Sequence, residues 1–303
     1  RVVNGMKRFT IGCIGARTTA FKTTRFDEIG LQKNGITVEA FDLSEVFFKV
    51  NAKEDNDPVV LAKKERLENY TDFSNVPEDK KIMLSKISVV IDEYVEEYHL
   101  DALAIRCWNE METILRVCPC VLLSELNDRG IATSCEIDLT SAISMRAMQL
   151  ASEQPTAVLD WNNNYGDAED KLILFHCGSC AQSLMTKKGT VTSHKMFDKG
   201  DPGSGWGTNE GRIRPFKTTI SNCLTVDGKI KIYASEAEFT DDPIEDAYFG
   251  CAGVCQIPNM EDKMIRLARG GFKHHTCVGV GHMKDILKEA FTTYLGYEWV
   301  DID

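Results

Sequence analysis

The chain has 303 residues, 43% of them hydrophobic and 27% charged, which is enough to bury a substantial core and to form about two domains. Its 46 acids against 35 bases give a net charge of −11, and no basic cluster offsets it, so no nucleic-acid partner is expected. No run of about eighteen apolar residues occurs and the first residues lack the apolar centre of a secretory signal, so no membrane partner and a cytoplasmic location are expected.

Residues 9–15 read as a strand ending in glycines, residues 26–33 as a helix closed by Asn34 and Gly35, and residues 36–41 as a second strand, which together make a βαβ unit. The charge-rich stretch 51–64 reads as a solvated connection into a helix. Apolar residues recur at helical spacing through 82–99 (Met83, Ile87, Val90, Ile91, Tyr94), and residues 100–105 follow as a strand. The rhythm repeats as a helix at 111–126, a strand at 131–137 and a helix at 139–151. Alternation of this kind argues for a parallel sheet with covered faces.

Beyond about residue 152 the helices thin out. Residues 172–177, 189–194, 212–223 and 229–239 read as strands, with Val226, Asp227 and Gly228 making a hairpin turn. The glycine- and proline-rich segment 201–208 is expected to form a shaped loop over a site, without regular structure. The chain closes with a strand ending near 280 and a helix at 282–294. Because it does not begin with Met and its first strand starts almost at once, a trimmed leader or an absent preceding domain is expected.

Two acids carry most of the functional signal. Glu136 and Asp160 each follow a short apolar run that reads as a buried strand, and the helix between them would return the chain to the same end of one sheet. Carboxylates at buried strand ends need a proton, a partner or a metal, so the pair is a candidate divalent-cation site. Gly270 and Gly271 lead into His274 and His275; adjacent strand residues face opposite sides, so one imidazole is expected to enter a pocket while the other packs. His176 is a further strand-end imidazole. Cys118 and Cys120, Cys177 and Cys180, and Cys251 and Cys255 do not form the paired knuckles of a structural zinc site. The eleven cysteines are read as reduced thiols, with no disulfide expected. Gly12 and Gly15 with Asp42 make an incomplete dinucleotide fingerprint, crowded by the bulky residues between Arg17 and Phe21.

Taken together, several segments resemble the L-fucose isomerase family and, more distantly, the L-arabinose isomerases. They are Gly15, Ala16 and Arg17 with Phe21, Asp27 and Glu28; Arg106, Cys107 and Trp108; residues 122–132 leading into Cys135, Glu136 and Asp138; residues 160–166; Phe175, His176 and Cys177; and residues 270–276. The resemblance implies an α/β fold. Residues 1–152 would form a parallel-sheet, flavodoxin-like domain similar to the second domain of fucose isomerases, and residues 153–303 a mainly antiparallel β domain with a terminal helix. It also implies that the family's first, N-terminal domain is lacking.

What the resemblance implies for function is an aldose–ketose isomerase acting on a monosaccharide of the L-fucose or D-arabinose type through a cis-enediol. Mn2+ or another divalent cation would be held by Glu136, Asp160 and His275, His275 being favoured over His274 by its match to the second histidine of the arabinose isomerase motif. A homo-oligomer, trimer or hexamer, is implied as well. Glu136 and Asp160 would also be the catalytic acid/base pair, with either one as the base. Arg106, Trp108, Asn162, His176 and Trp206 are expected to bind substrate, since hydroxyls need fixed donors and pyranose faces pack on aromatic rings. The alternatives are a non-catalytic sugar- or metal-binding relative, a truncated chain that needs a partner domain for activity, and a nucleotide-dependent oxidoreductase using the Gly12 to Gly15 turn.

Overall fold

The computed structural model describes residues 1–246 and 248–303. The first unit runs α1 (Val2–Lys7), β1 (Phe9–Ile14), α2 (Glu28–Lys33), β2 (Ile36–Phe41), α3 (Leu43–Ala52), α4 (Pro58–Tyr70), α5 (Glu78–Glu97), β3 (Ala102–Ile105), a π turn (Met111–Leu115), α6 (Cys120–Asp128), β4 (Ala132–Cys135) and α7 (Leu139–Ser152). Then follow β5 (Thr156–Asn164), β6 (Lys171–His176), β7 (Thr190–Ser193), α8 (Lys195–Asp198), β8 (Trp206–Arg212), β9 (Phe216–Val226), β10 (Lys229–Phe239), β11 (Cys251–Gln256), α9 (Met260–Arg269), β12 (His275–Val280), α10 (Lys284–Glu289) and β13 (Glu298–Trp299).

Strands β1 to β4 form a parallel sheet in the order β2, β1, β3, β4. Short apolar strands buried on both faces are what such a sheet requires, and all four residues of β3 are buried. The second sheet is mostly antiparallel, in the order β13, β10, β9, β12, β5, β6, β11, β8, β7. An added pairing of β10 with β11 closes β10, β9, β12, β5, β6 and β11 into a ring. Its interior is filled by side chains such as Leu159, Leu172, Leu174, Ile220, Phe239 and Val278. The β9–β10 hairpin turns on Asp227 and Gly228, both at positive φ, as a two-residue hairpin with the right twist demands.

Helix α7 joins the two sheets. Met145, Met148, Ile143 and Ala142 share one continuous core with Ile11 and Ala104 of the parallel sheet and with Val158, Cys223 and Cys277 of the ring. Because strand residues alternate faces, Leu159 points into the ring while Val158 and Asp160 point out of it, toward this seam.

The structure corrects several expectations. Strands β4 and β5 lie in different sheets, so the two acids do not come together by a parallel crossover; they meet because α7 packs one sheet against the other. The helix expected at 111–126 is interrupted, since Arg116 is left-handed and Pro119 stands just before α6. The segment 201–208 is regular from Trp206 onward: β8 pairs with β7, and Gly207, at φ 135°, lets the strand approach the Cys118 carbonyl more closely than any Cβ would permit. Strand β11 and helix α9 complete the second unit without having been foreseen. All eleven cysteines are buried free thiols.

Glu112, in the π turn, gives a first testable consequence. It is buried with neither carboxyl oxygen partnered among the described residues, and burial pushes its carboxyl up to about 8. A group held protonated by the fold stabilises fully below its unfolded pKa of about 4.3 and loses that stabilisation as pH rises toward 8, at about 1.4 kcal/mol per pH unit. Thermal melts should therefore show a falling Tm between about pH 4.5 and 8. Glu112→Gln is expected to flatten that fall, and equal slopes for the two chains would refute the assignment.

Candidate active site

The seam between the sheets carries a cluster of ionisable groups. Glu136 follows β4 directly, at φ 62°, and Ile137 after it is also left-handed at φ 59°. Two consecutive side-chain-bearing residues in that region are strained by about 1–2 kcal/mol each, and for a β-branched residue the conformation is an outlier. This turn places the Glu136 side chain at the seam and lets Asp138 begin α7 as its N-cap, accepting from Ser141 N–H.

Asp160 lies in the middle of β5, not at its end, and pairs in register with His275 at the start of β12. Directly opposed residues share a face. Accordingly His275 Nε2 lies 3.4 Å from Asp160 Oδ1 and 3.5 Å from Glu136 Oε2. His274 precedes the strand and is therefore free of its alternation, so both imidazoles turn toward the acids. His274 Nε2 is 3.8 Å from Glu136 and 3.7 Å from Asp160, its ring lies parallel to that of Phe21, and Nδ1 meets the Thr23 hydroxyl at 3.1 Å. His176, fully buried on β6, completes the cluster.

Among the described residues, four atoms here are buried without a hydrogen-bond partner: Glu136 Oε2, Asp160 Oδ1, His176 Nε2 and His275 Nε2. Buried polar atoms are normally satisfied. Two carboxylates and imidazoles converging with free lone pairs form the donor set that suits a divalent cation such as manganese. Burial pushes the Glu136 carboxyl up, but the imidazoles of His274, His275 and His176 outweigh it and hold it below the usual range. Burial lowers the His176 imidazole despite the two acids beside it.

The residue that sequence reasoning quoted without a role is Asp138. It is fully buried and accepts from His275 Nδ1 at 2.7 Å, from the Ser141 hydroxyl at 2.5 Å and from the Lys273 ammonium. Burial pushes its carboxyl up, but Lys273 and His275 hold it far below the usual carboxylate range. In return Asp138 raises the His275 imidazole against burial. The Asp138 contact directs the Nε2 lone pair of His275 at the acids, which is how ligand imidazoles are oriented in metal sites. Its position as a helix N-cap hid this role in the sequence.

A hollow of about 330 Å³ opens onto the acids, walled by Phe21, Trp108, Trp161 and Phe175. Asn162 lines it and also a neighbouring hollow with Tyr248 and Phe249. Two expected sugar contacts lie elsewhere. The Arg106 guanidinium is taken up by Glu110, by the Trp108 carbonyl and by the Ala16 carbonyl, so it braces the loop that presents Trp108. Trp206 packs on the core beneath α6 and its carbonyl accepts from Cys118 N–H.

Residues 174–303 match the family model of the L-fucose isomerase C-terminal domain. The chain is 23% identical to the sulfoquinovose isomerase of Priestia aryabhattai over 292 residues, covering 95% of this chain and 64% of that protein. It is also 28% identical over 183 residues to the sulfoquinovose isomerase of Alkalicoccus urumqiensis, 60% of this chain and 41% of that protein. The chain thus spans about two thirds or less of the length of these relatives. The proteins that the chain is similar to are thus sugar isomerases. Within that class, the C-terminal part of the chain, residues 174–303, resembles the L-fucose isomerase C-terminal domain.

Proposed function

We propose that the chain carries the active site of a metal-dependent aldose–ketose isomerase, with Mn2+ or another divalent cation held by Glu136, Asp160 and His275. The observation that carries this reading is the convergence of their buried, unpartnered oxygen and nitrogen atoms. A bound cation would supply Lewis-acid stabilisation of the negative charge that develops on the two reacting oxygens, worth several kcal/mol.

The chain's own groups handle the protons. Interconversion moves a proton between C1 and C2 through a cis-enediol while carbonyl and hydroxyl exchange places. One carboxylate of the Glu136 and Asp160 pair takes and returns the carbon-bound proton, and the other carries the oxygen-bound one. Trp108 and Phe21, packed edge to face at 5.4 Å, offer an apolar wall for a sugar ring, and Asn162 offers an amide to its hydroxyls.

Substrates of the L-fucose or D-arabinose type are the first to test. Sulfoquinovose joins the panel because the matched relatives bear that name. Elemental analysis of the purified chain is expected to find a divalent metal in near-stoichiometric amount. Ketose formation from at least one of these sugars should be lost after chelation and regained with Mn2+. Full activity in a metal-stripped chain would overturn the assignment. We further propose a homo-oligomer, trimer or hexamer, which light scattering would measure directly.

A further inference from the structure

His194 stands between β7 and α8 and is only 1% exposed. Its Nδ1 accepts from Met196 N–H at 3.3 Å and so caps α8. The ring proton therefore sits on Nε2, where it is a donor. Among the described residues that donor has no partner. Burial holds the imidazole down to about 4, so the ring is neutral across physiological pH. Gly205 backs it so closely that a Cβ there would lie 2.9 Å from the His194 Cβ, which fixes the ring from behind.

The ring does not itself line the sugar hollow but lies directly behind side chains that do. The ring meets Trp108 edge to face at 5.9 Å and Phe249 at 5.8 Å. Trp108 and the neighbouring Met196 line the hollow that opens on Glu136 and Asp160, and Phe249 lines the adjoining one. Besides burial, His176 also opposes protonation of His194. Met196, half-exposed and unbranched, is the side chain that can move aside to admit a hydroxyl.

We propose that His194 Nε2–H is a binding donor for a substrate hydroxyl on a carbon beyond the two that react. This rests on the isomerase reading. Binding is measured by tryptophan fluorescence on the Mn2+-loaded chain with L-fucitol, D-arabinitol and D-glucitol as non-reacting probes, alongside KM and kcat for the matching aldose. His194→Asn keeps an acceptor for the Met196 N–H but removes the distal donor. It is expected to raise Kd and KM about tenfold, the size of one neutral hydrogen bond, with kcat within about twofold. His194→Gln, whose amide restores a distal N–H, should recover most of the affinity. In a series of monodeoxy probes, one loss should weaken binding to the wild type and leave H194N unaffected.

If H194N binds every probe as the wild type does, the N–H merely rests on an aromatic face and the proposal fails. It fails equally if H194N and H194Q lose kcat and melting temperature together, which would mark a purely structural role. A wild-type chain that binds no alditol at all overturns the isomerase reading along with it.

Discussion

Glu136→Gln is expected to lower kcat/KM by at least about a thousandfold, the range for removing a positioned acid/base group, while the protein stays folded. The substitution keeps the side chain's shape and exchanges one oxygen for an amide nitrogen. In the native chain Glu136 Oε2 is buried and unpartnered, 3.5 Å from His275 Nε2. Three imidazoles nevertheless hold its carboxyl below the usual range, so the charged form is the one the fold favours. A neutral amide loses that attraction, so the metal-free variant should stay folded but melt somewhat below the wild-type temperature. What it cannot do is contribute a negative charge to a cation. The stabilisation that Mn2+ gives the wild type, which scales with occupancy, should therefore vanish. Asp160→Asn should behave in the same way. Undiminished turnover in either variant would defeat the assignment, and an undiminished metal-induced rise in Tm would defeat the ligand role on its own.

The strained turn at Glu136 and Ile137 supports the same view. Two left-handed residues at the end of β4 weaken the fold locally, and strain of this kind persists where function over-determines the backbone. No propensity rule would place Ile137 there. Sequence periodicity did reveal β1 to β4 and the helices between them, since buried parallel strands and amphipathic helices write their burial directly into spacing. It also picked out Glu136, Asp160 and the two histidines, because polar side chains ending or interrupting apolar runs are anomalous. The pairing of His275 with Asp160 was not legible, because register across strands distant in the chain depends on which sheets α7 brings together. For the same reason Arg106, an isolated cation beside an aromatic residue, read as a sugar contact until the carboxylate of Glu110 was seen to occupy it. The roles of Asp138 and His194 were hidden by a local explanation that was true as well: each caps a helix, and each uses its remaining polar atoms for the site.

Asp138→Asn is the sharper test of how the site is held. The native carboxylate is shared among His275 Nδ1, the Ser141 hydroxyl and the Lys273 ammonium, all of them buried. Removing its charge strands Lys273 as a buried cation, whose other contact is the Thr140 hydroxyl. Breaking one half of a buried pair destabilises by about 3–5 kcal/mol, so a large fall in Tm is expected. Metal affinity should also drop about 10- to 100-fold, because His275 loses the acceptor that sets its tautomer and aim. These two effects separate in the double variant Asp138→Asn with Lys273→Met. Without the stranded cation, most of the lost stability should return, while the affinity for Mn2+ stays low because His275 is still misdirected. If the double variant regains both, the Asp138 contact serves only to neutralise Lys273, and the orientation of His275 must come from its place in β12 opposite Asp160.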